Sequence, residues 1–237
     1  MSVMTESIHP IIASIEHTLL TPEATPGQID ALCDEAVRFG FHGVCVHPVY
    51  VERAARRIES GRSLGEVRRP VVVSVAGFPL GASVTATKAD EAARAMDDGA
   101  TEVDMVAWIG GLIDGDLTRV RADIEAVARA VHGHPGGVLK VILELGALSA
   151  EQAMLGCRCC AEGEADFVKT STGMHKGGGA TIKQVERLHR LASPMGVKAA
   201  GGIRTAAQAL AMARAGAARI GTSSGAAIAS ELLARRG

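Results

Sequence analysis

Phe167-Val168-Lys169-Thr170-Ser171-Thr172-Gly173 and Gly196-Val197-Lys198-Ala199-Ala200-Gly201-Gly202 follow one pattern. Each is a short apolar run that carries a lysine and ends in a glycine turn. Between them, Thr181-Ile182-Lys183-Gln184 has Ser/Thr followed three residues later by Gln, the capping box that opens a helix. Ile182, Val185, Leu188 and Leu191 then mark one apolar stripe at helical spacing. Strand, turn, helix, strand is the unit of a parallel sheet.

The unit repeats in both directions. Strand-like runs are read at Ser14–His17, Gly43–Val46, Val71–Ala76, Glu102–Val106, Leu139–Glu144, Phe167–Thr170, Gly196–Ala200 and Arg219–Gly221. Most are continuously apolar, as strands covered on both faces must be. Capping boxes recur at Thr25-Pro26-Gly27-Gln28, Ser149-Ala150-Glu151-Gln152 and Thr205-Ala206-Ala207-Gln208, with Pro26 suited to a first helical position. Gly40, Gly99, Gly163 and Gly216 are read as left-handed helix ends before strands. Eight strands alternating with helices predict a (β/α)8 TIM barrel of the α/β class. The competing layout is an open doubly wound sheet, which would usually carry a Gly-x-Gly-x-x-Gly turn after the first strand, and none is visible. No linker divides the chain, so residues 1–237 are expected to form a single domain, with 1–13 as an N-terminal extension carrying a helix.

Composition narrows the function classes. The chain has 237 residues, 47% of them hydrophobic, which is enough for one large α/β core. The formal net charge of −1 and the absence of a basic run disfavour nucleic acid and membrane surfaces as partners. No apolar run is long enough to span a bilayer, and no signal peptide is visible at the N-terminus. Cys33, Cys45, Cys157, Cys159 and Cys160 are odd in number, which suits free thiols and a cytoplasmic location. Cys157-Arg158-Cys159-Cys160 lies in a helix-like segment without zinc-site spacing, so it reads as helix packing, and no metal or cofactor is expected.

The chemistry is carried by lysines. The chain has only six, against nineteen arginines, yet Lys169 and Lys198 lie inside apolar strands. Lysine, unlike arginine, becomes an amine nucleophile when burial or a second cation lowers its pKa, so the pair points to Schiff-base formation. Asp104, in Glu102-Val103-Asp104-Met105-Val106, falls at a matching place on strand four, with Lys169 on strand six and Lys198 on strand seven, and is suited to relay a proton or to hold the second lysine as ammonium. The turns Ser171-Thr172-Gly173, Gly201-Gly202-Ile203-Arg204 and Gly221-Thr222-Ser223-Ser224-Gly225 offer backbone N–H groups and hydroxyls. The last two follow strands seven and eight, where barrels of this type commonly bind phosphate. Weaker candidates are His17, His47, His175 and Trp108, and Lys140 with Glu144 is read as an internal ion pair. On the residues alone, a non-catalytic sugar-phosphate-binding barrel or an isomerase competes with the aldehyde chemistry.

These stretches, together with His17-Thr18-Leu19-Leu20, Gly77-Phe78-Pro79-Leu80-Gly81 and Lys140-Val141-Ile142-Leu143-Glu144, resemble the 2-deoxy-D-ribose-5-phosphate aldolase family from about Ile15 to Ile228. The resemblance implies a class I, metal-independent aldolase that cleaves 2-deoxy-D-ribose 5-phosphate to acetaldehyde and D-glyceraldehyde 3-phosphate. It implies Lys169 as the Schiff-base lysine, with Lys198 and Asp104 as its acid–base partners. It also implies Gly201, Gly202, Ser223 and Ser224 as phosphate contacts, with Gly173 in support, and a homodimer. The chain departs from the family pattern at Glu16, His47, Trp108, Gly146, Ala200 and Met174-His175-Lys176. It ends Ala234-Arg235-Arg236-Gly237, where many members carry a tyrosine, and its only tyrosine is Tyr50. His47 and Trp108, as rim residues, leave a different aldehyde or sugar-phosphate substrate as the alternative.

Overall fold

The structure is a computed structural model that describes residues 10–61 and 69–234. Eight parallel strands close into a barrel in chain order: β1 (Ile15–Leu19), β2 (Gly43–Val46), β3 (Val71–Ala76), β4 (Glu102–Val106), β5 (Val138–Ile142), β6 (Phe167–Lys169), β7 (Gly196–Ala200) and β8 (Arg219–Thr222). β8 pairs back onto β1, with Glu16 opposite Gly221. Outside lie α1 (Pro26–Phe39), α2 (Val51–Ser60), α3 (Thr85–Asp97), α4 (Ile109–Asp114), α5 (Leu117–His132), α6 (Ala150–Glu162), α7 (Ile182–Ala192), α8 (Ala206–Arg214) and α9 (Gly225–Ala234). The predicted single-domain (β/α)8 barrel is therefore observed. Four strands keep their predicted bounds and the others shift by a residue or two. The N-terminal extension falls largely outside the described residues; within them, Ile12–Ser14 form one 3-10 turn with Ile12 buried.

All four capping boxes form. The Gln28, Gln152, Gln184 and Gln208 carboxamide oxygens accept from the Thr25, Ser149, Thr181 and Thr205 N–H groups at 2.8, 2.8, 3.0 and 3.2 Å. Each satisfies a donor that a bare helix start would leave unpaired. Gly40, Gly99 and Gly216 adopt the expected positive φ, but Gly163 does not (φ −93°). The left-handed residue there is Glu164, and Gly163 serves close packing: a Cβ on it would lie 2.8 Å from Ile124. The α7 stripe is also shorter than expected. Val185 and Leu188 are buried, whereas Ile182 and Leu191 are exposed. Three-residue steps lag the helix by about 60° each, so the ends of a four-membered run point apart. Cys157, Cys159 and Cys160 pack inward from α6, and burial pushes the Cys157 thiol up to about 12.

Strand alternation sorts the barrel into two interiors. On β4, Val103 and Met105 belong to the apolar layer between sheet and helices, while Glu102 and Asp104 point into the barrel. On β5, β6 and β7, Leu139, Val168 and Val197 face the helices, and Lys140, Lys169 and Lys198 face inward. Register does the rest: Asp104 lies opposite Lys140, and Lys169 opposite Lys198. One side of the barrel is thus ionic. The remaining small apolar cluster is Leu20, Cys45, Val73 and Val75.

Candidate active site

Three lysines and three carboxylates meet inside the barrel, all buried. Lys169 Nζ donates to Asp104 Oδ2 at 2.8 Å, and Lys198 Nζ donates to the same oxygen at 2.6 Å. Lys198 also donates to Glu16 Oε2. Lys140 Nζ donates to Asp104 Oδ1 at 3.1 Å and lies 3.6 Å from Glu16 Oε1. It meets Glu102 Oε2 at 2.5 Å as an ion pair rather than an aligned hydrogen bond. His42 Nε2 closes the chain on Glu102 Oε1 at 2.8 Å. Balanced charge is what permits this burial, because an unpaired buried ion costs several kcal/mol.

The field inside the cluster is one-sided at each group. Burial alone would raise the Asp104 carboxyl, but the Lys140, Lys169 and Lys198 ammonium groups outweigh it and hold it well below the ordinary carboxylate range. Burial likewise opposes charge on Lys198, yet Asp104 and Glu16 outweigh it and push the ammonium above its usual value. Lys140 is pushed up to about 12 against its own burial by Asp104, Glu16 and Glu102. Lys198 and Lys140 therefore rest as cations and Asp104 as an anion. Glu16, His42 and Glu102 offer ligand atoms within 4.8 Å of one another, the spacing of a cation site. Lys140 already supplies a cation against both of its carboxylates.

A cavity of about 250 Å³ opens over Lys169 at the C-terminal ends of the strands. Lys169 lines it; Lys140 and Lys198 do not. The rim includes Gly173, Gly201, Gly202, Arg204 and Ser223, together with Thr18 to Thr21 at the end of β1. Gly173, Gly201 and Gly202 have φ of 82°, 90° and 77°, which L side chains rarely adopt. Among the described residues, the N–H groups of Gly173, Gly202 and Ser223 donate to no protein acceptor. A cluster of free N–H donors beside an arginine and the start of α9 is a cradle for an anion.

Most sequence candidates converge here. Lys169, Lys198, Asp104, Gly173, Gly201, Gly202 and Ser223 come together, but Ser224 does not line the cavity. It precedes α9, and its N–H donates to Thr222 Oγ1 at 2.9 Å. His17 pairs with Glu35 at 2.7 Å, and His175 accepts from Gly177 N–H at 3.0 Å. Neither His47 nor Trp108 lines the cavity. His47 Nε2 bonds Leu20 O at 3.0 Å, and Trp108 packs under Arg119 at 4.6 Å. Tyr50 donates to Ala24 O. The expected Lys140–Glu144 pair is absent. β5 ends at Ile142, Lys140 is held inside the barrel by Asp104, Glu16 and Glu102, and Glu144, beyond the strand end, accepts from Thr172. Sequence reasoning took Glu16 only as a departure from the family pattern and missed its pairing with Lys198. It also missed Arg204, which was quoted only as part of its turn.

Residues 11–231 match the sequence model of the DeoC/LacD family aldolases. A deoxyribose-phosphate aldolase of Thermococcus gammatolerans is 50% identical over 212 residues, covering 89% of this chain and 91% of that protein. One from Mycobacterium tuberculosis is 47% identical over 218 residues, covering 90% and 92%. The tetrameric deoxyribose phosphate aldolase of Aeropyrum pernix superposes with a TM-score of 0.86 at 32% identity, covering 96% of this chain and 93% of that one.

Proposed function

This chain belongs to the DeoC/LacD family of aldolases, and we propose that it cleaves 2-deoxy-D-ribose 5-phosphate reversibly to acetaldehyde and D-glyceraldehyde 3-phosphate. The observation that carries the reading is Lys169. It is the one lysine of the buried trio that lines the cavity, and its sole ionic partner among the described residues, Asp104 Oδ2, is shared with Lys198. Lys140 and Lys198 each meet at least two carboxylates and have no exposed surface.

Lys169 attacks C1 of the open-chain aldehyde, and loss of water gives an imine. The C3 hydroxyl loses its proton and the C2–C3 bond breaks. The C3–O electrons form the new aldehyde of D-glyceraldehyde 3-phosphate, and the bonding pair flows through C2 to the imine nitrogen. The resulting enamine takes a proton at C2, and water releases acetaldehyde and the free lysine. Asp104 and Lys198, joined by one 2.6 Å hydrogen bond, are the acceptor and donor at hand for these transfers. Gly173, Gly201, Gly202, Ser223 and Arg204 hold the phosphate. Ser224, whose N–H donates to Thr222 Oγ1, offers its hydroxyl as a further phosphate contact from the same loop.

The alternative substrate rested on His47 and Trp108 as rim residues, and the observed cavity gives neither that position. The first assay is retro-aldol turnover of 2-deoxy-D-ribose 5-phosphate, read by acetaldehyde release, against a panel of other hydroxyaldehydes. The expected result is highest kcat/KM for the phosphorylated deoxyribose; higher turnover of another member would displace this reading. No helix of the described residues is long and apolar enough to cross a membrane, and the five cysteines are free. Both support a cytoplasmic enzyme, and we expect light scattering to give a homodimer.

A further inference from the structure

Three unfavourable features coincide at Glu144. It has φ 52°, one of two positive values at non-glycine residues among those described, and the other, Glu164, is exposed. Its carboxylate is buried, at 4% exposure, yet no lysine, arginine or histidine of the described residues pairs with it. One of its oxygens, Oε1, has no hydrogen-bond partner. Strain and buried charge gathered at one position mark a residue kept for function rather than for packing.

The hydrogen bonds show what Glu144 holds. Oε2 accepts from Thr172 N–H at 3.2 Å and from the Thr172 hydroxyl. That hydroxyl in turn accepts from Met174 N–H at 3.0 Å. Glu144, Thr172 and Met174 thus form a brace around Gly173, and the three residues from Thr172 to Met174 all line the cavity over Lys169. The base of the brace is fixed by the sheet, since Leu143 and Leu145 N–H donate to Lys169 and Thr170 carbonyls at 3.0 and 2.8 Å.

We infer that Glu144 is a positioning residue that sets the Thr172–Met174 turn and thereby the preference for phosphorylated over unphosphorylated sugar. The inference rests on the proposed phosphate role of Gly173 and its neighbours. Glu144 touches no substrate; it fixes the direction of the Gly173 N–H.

The test compares wild type, E144A, E144Q, T172V and E144A/T172V as full chains. Kinetics are taken on 2-deoxy-D-ribose 5-phosphate and on 2-deoxy-D-ribose, with inorganic phosphate as the inhibitor. E144A is expected to raise KM for the phosphorylated sugar roughly tenfold and to weaken phosphate inhibition in parallel. Its kcat, and its kcat/KM for the unphosphorylated sugar, should stay within about twofold. E144Q keeps an acceptor for Thr172 and should restore most of the loss. T172V should match E144A, and the double variant should be no worse than either. Equal losses on both sugars, additive losses, or no change in E144A would overturn the inference. Should E144A fail to fold, E144Q and T172V still decide it. A wild type indifferent to the phosphate would instead count against the phosphate reading itself.

Discussion

Lys198 sits between Glu16 and Asp104 with no exposed surface, and both carboxylates push its ammonium above the usual lysine range despite burial. A lysine so held rests as an ammonium and is not a nucleophile, and its 2.6 Å hydrogen bond to Asp104 joins it to the proposed proton path. Lys198→Met and Asp104→Asn should each lower kcat by roughly 10²–10⁴, the range of a lost general acid–base group. Steady-state kinetics on 2-deoxy-D-ribose 5-phosphate checks this, and a loss below tenfold would remove the pair from the proton path. Lys169, Lys198 and Asp104 were legible in the sequence because lysine is rare in this arginine-rich chain and strand alternation turns these positions inward. Glu16, Glu102 and Lys140 were not legible as partners. Their pairing depends on register and on β8 closing onto β1, which no local pattern encodes.

Among the elements, α3 and α5 show how the outer layer is joined to the barrel. Lys88 on α3, fully buried, donates to Asp123 Oδ2 on α5 at 2.6 Å and to the β4 carbonyl of Val106 at 3.0 Å. Lys88→Met leaves Asp123 buried and unpaired, so it should cost about 3–5 kcal/mol. Adding Asp123→Leu should recover much of that loss, because the charge to be compensated is gone. Urea unfolding of the two variants measures both, and equal stability of single and double variants would contradict the pairing. The elements themselves were legible wherever local chemistry is reciprocal, as in the four capping boxes, and wherever an apolar run is bounded by turns, as in β2, β3, β4 and β7. They were misjudged where tertiary packing decides, as at Gly163, where Ile124 sets the need for glycine, and at the ends of α7.

Across the whole molecule, the charges and thiols buried inside it set the pH window of stability. The Glu102 and Asp104 carboxyls lie below the ordinary values of 4.5 and 3.8 in the folded chain. The unfolded chain therefore binds protons first as pH falls, and stability is lost downward from about pH 4.5. Burial raises the Cys33, Cys45 and Cys157 thiols from 9.0 to about 12, 11 and 12. Here the unfolded chain ionises first, so stability is lost upward from about pH 9. Lys140, raised from 10.5 to about 12, extends the alkaline loss. Urea midpoints across pH should show a plateau between these limits, and a decline within the plateau would contradict the assignment. The reaction itself comes to rest on a single amine at the floor of one cavity. The most direct measurement is mass spectrometry of the intact chain and its peptides after acetaldehyde and borohydride. The expected product is one ethyl group at Lys169, absent from Lys169→Met. An unmodified chain, or an adduct on Lys198 or Lys140 in its place, would contradict it.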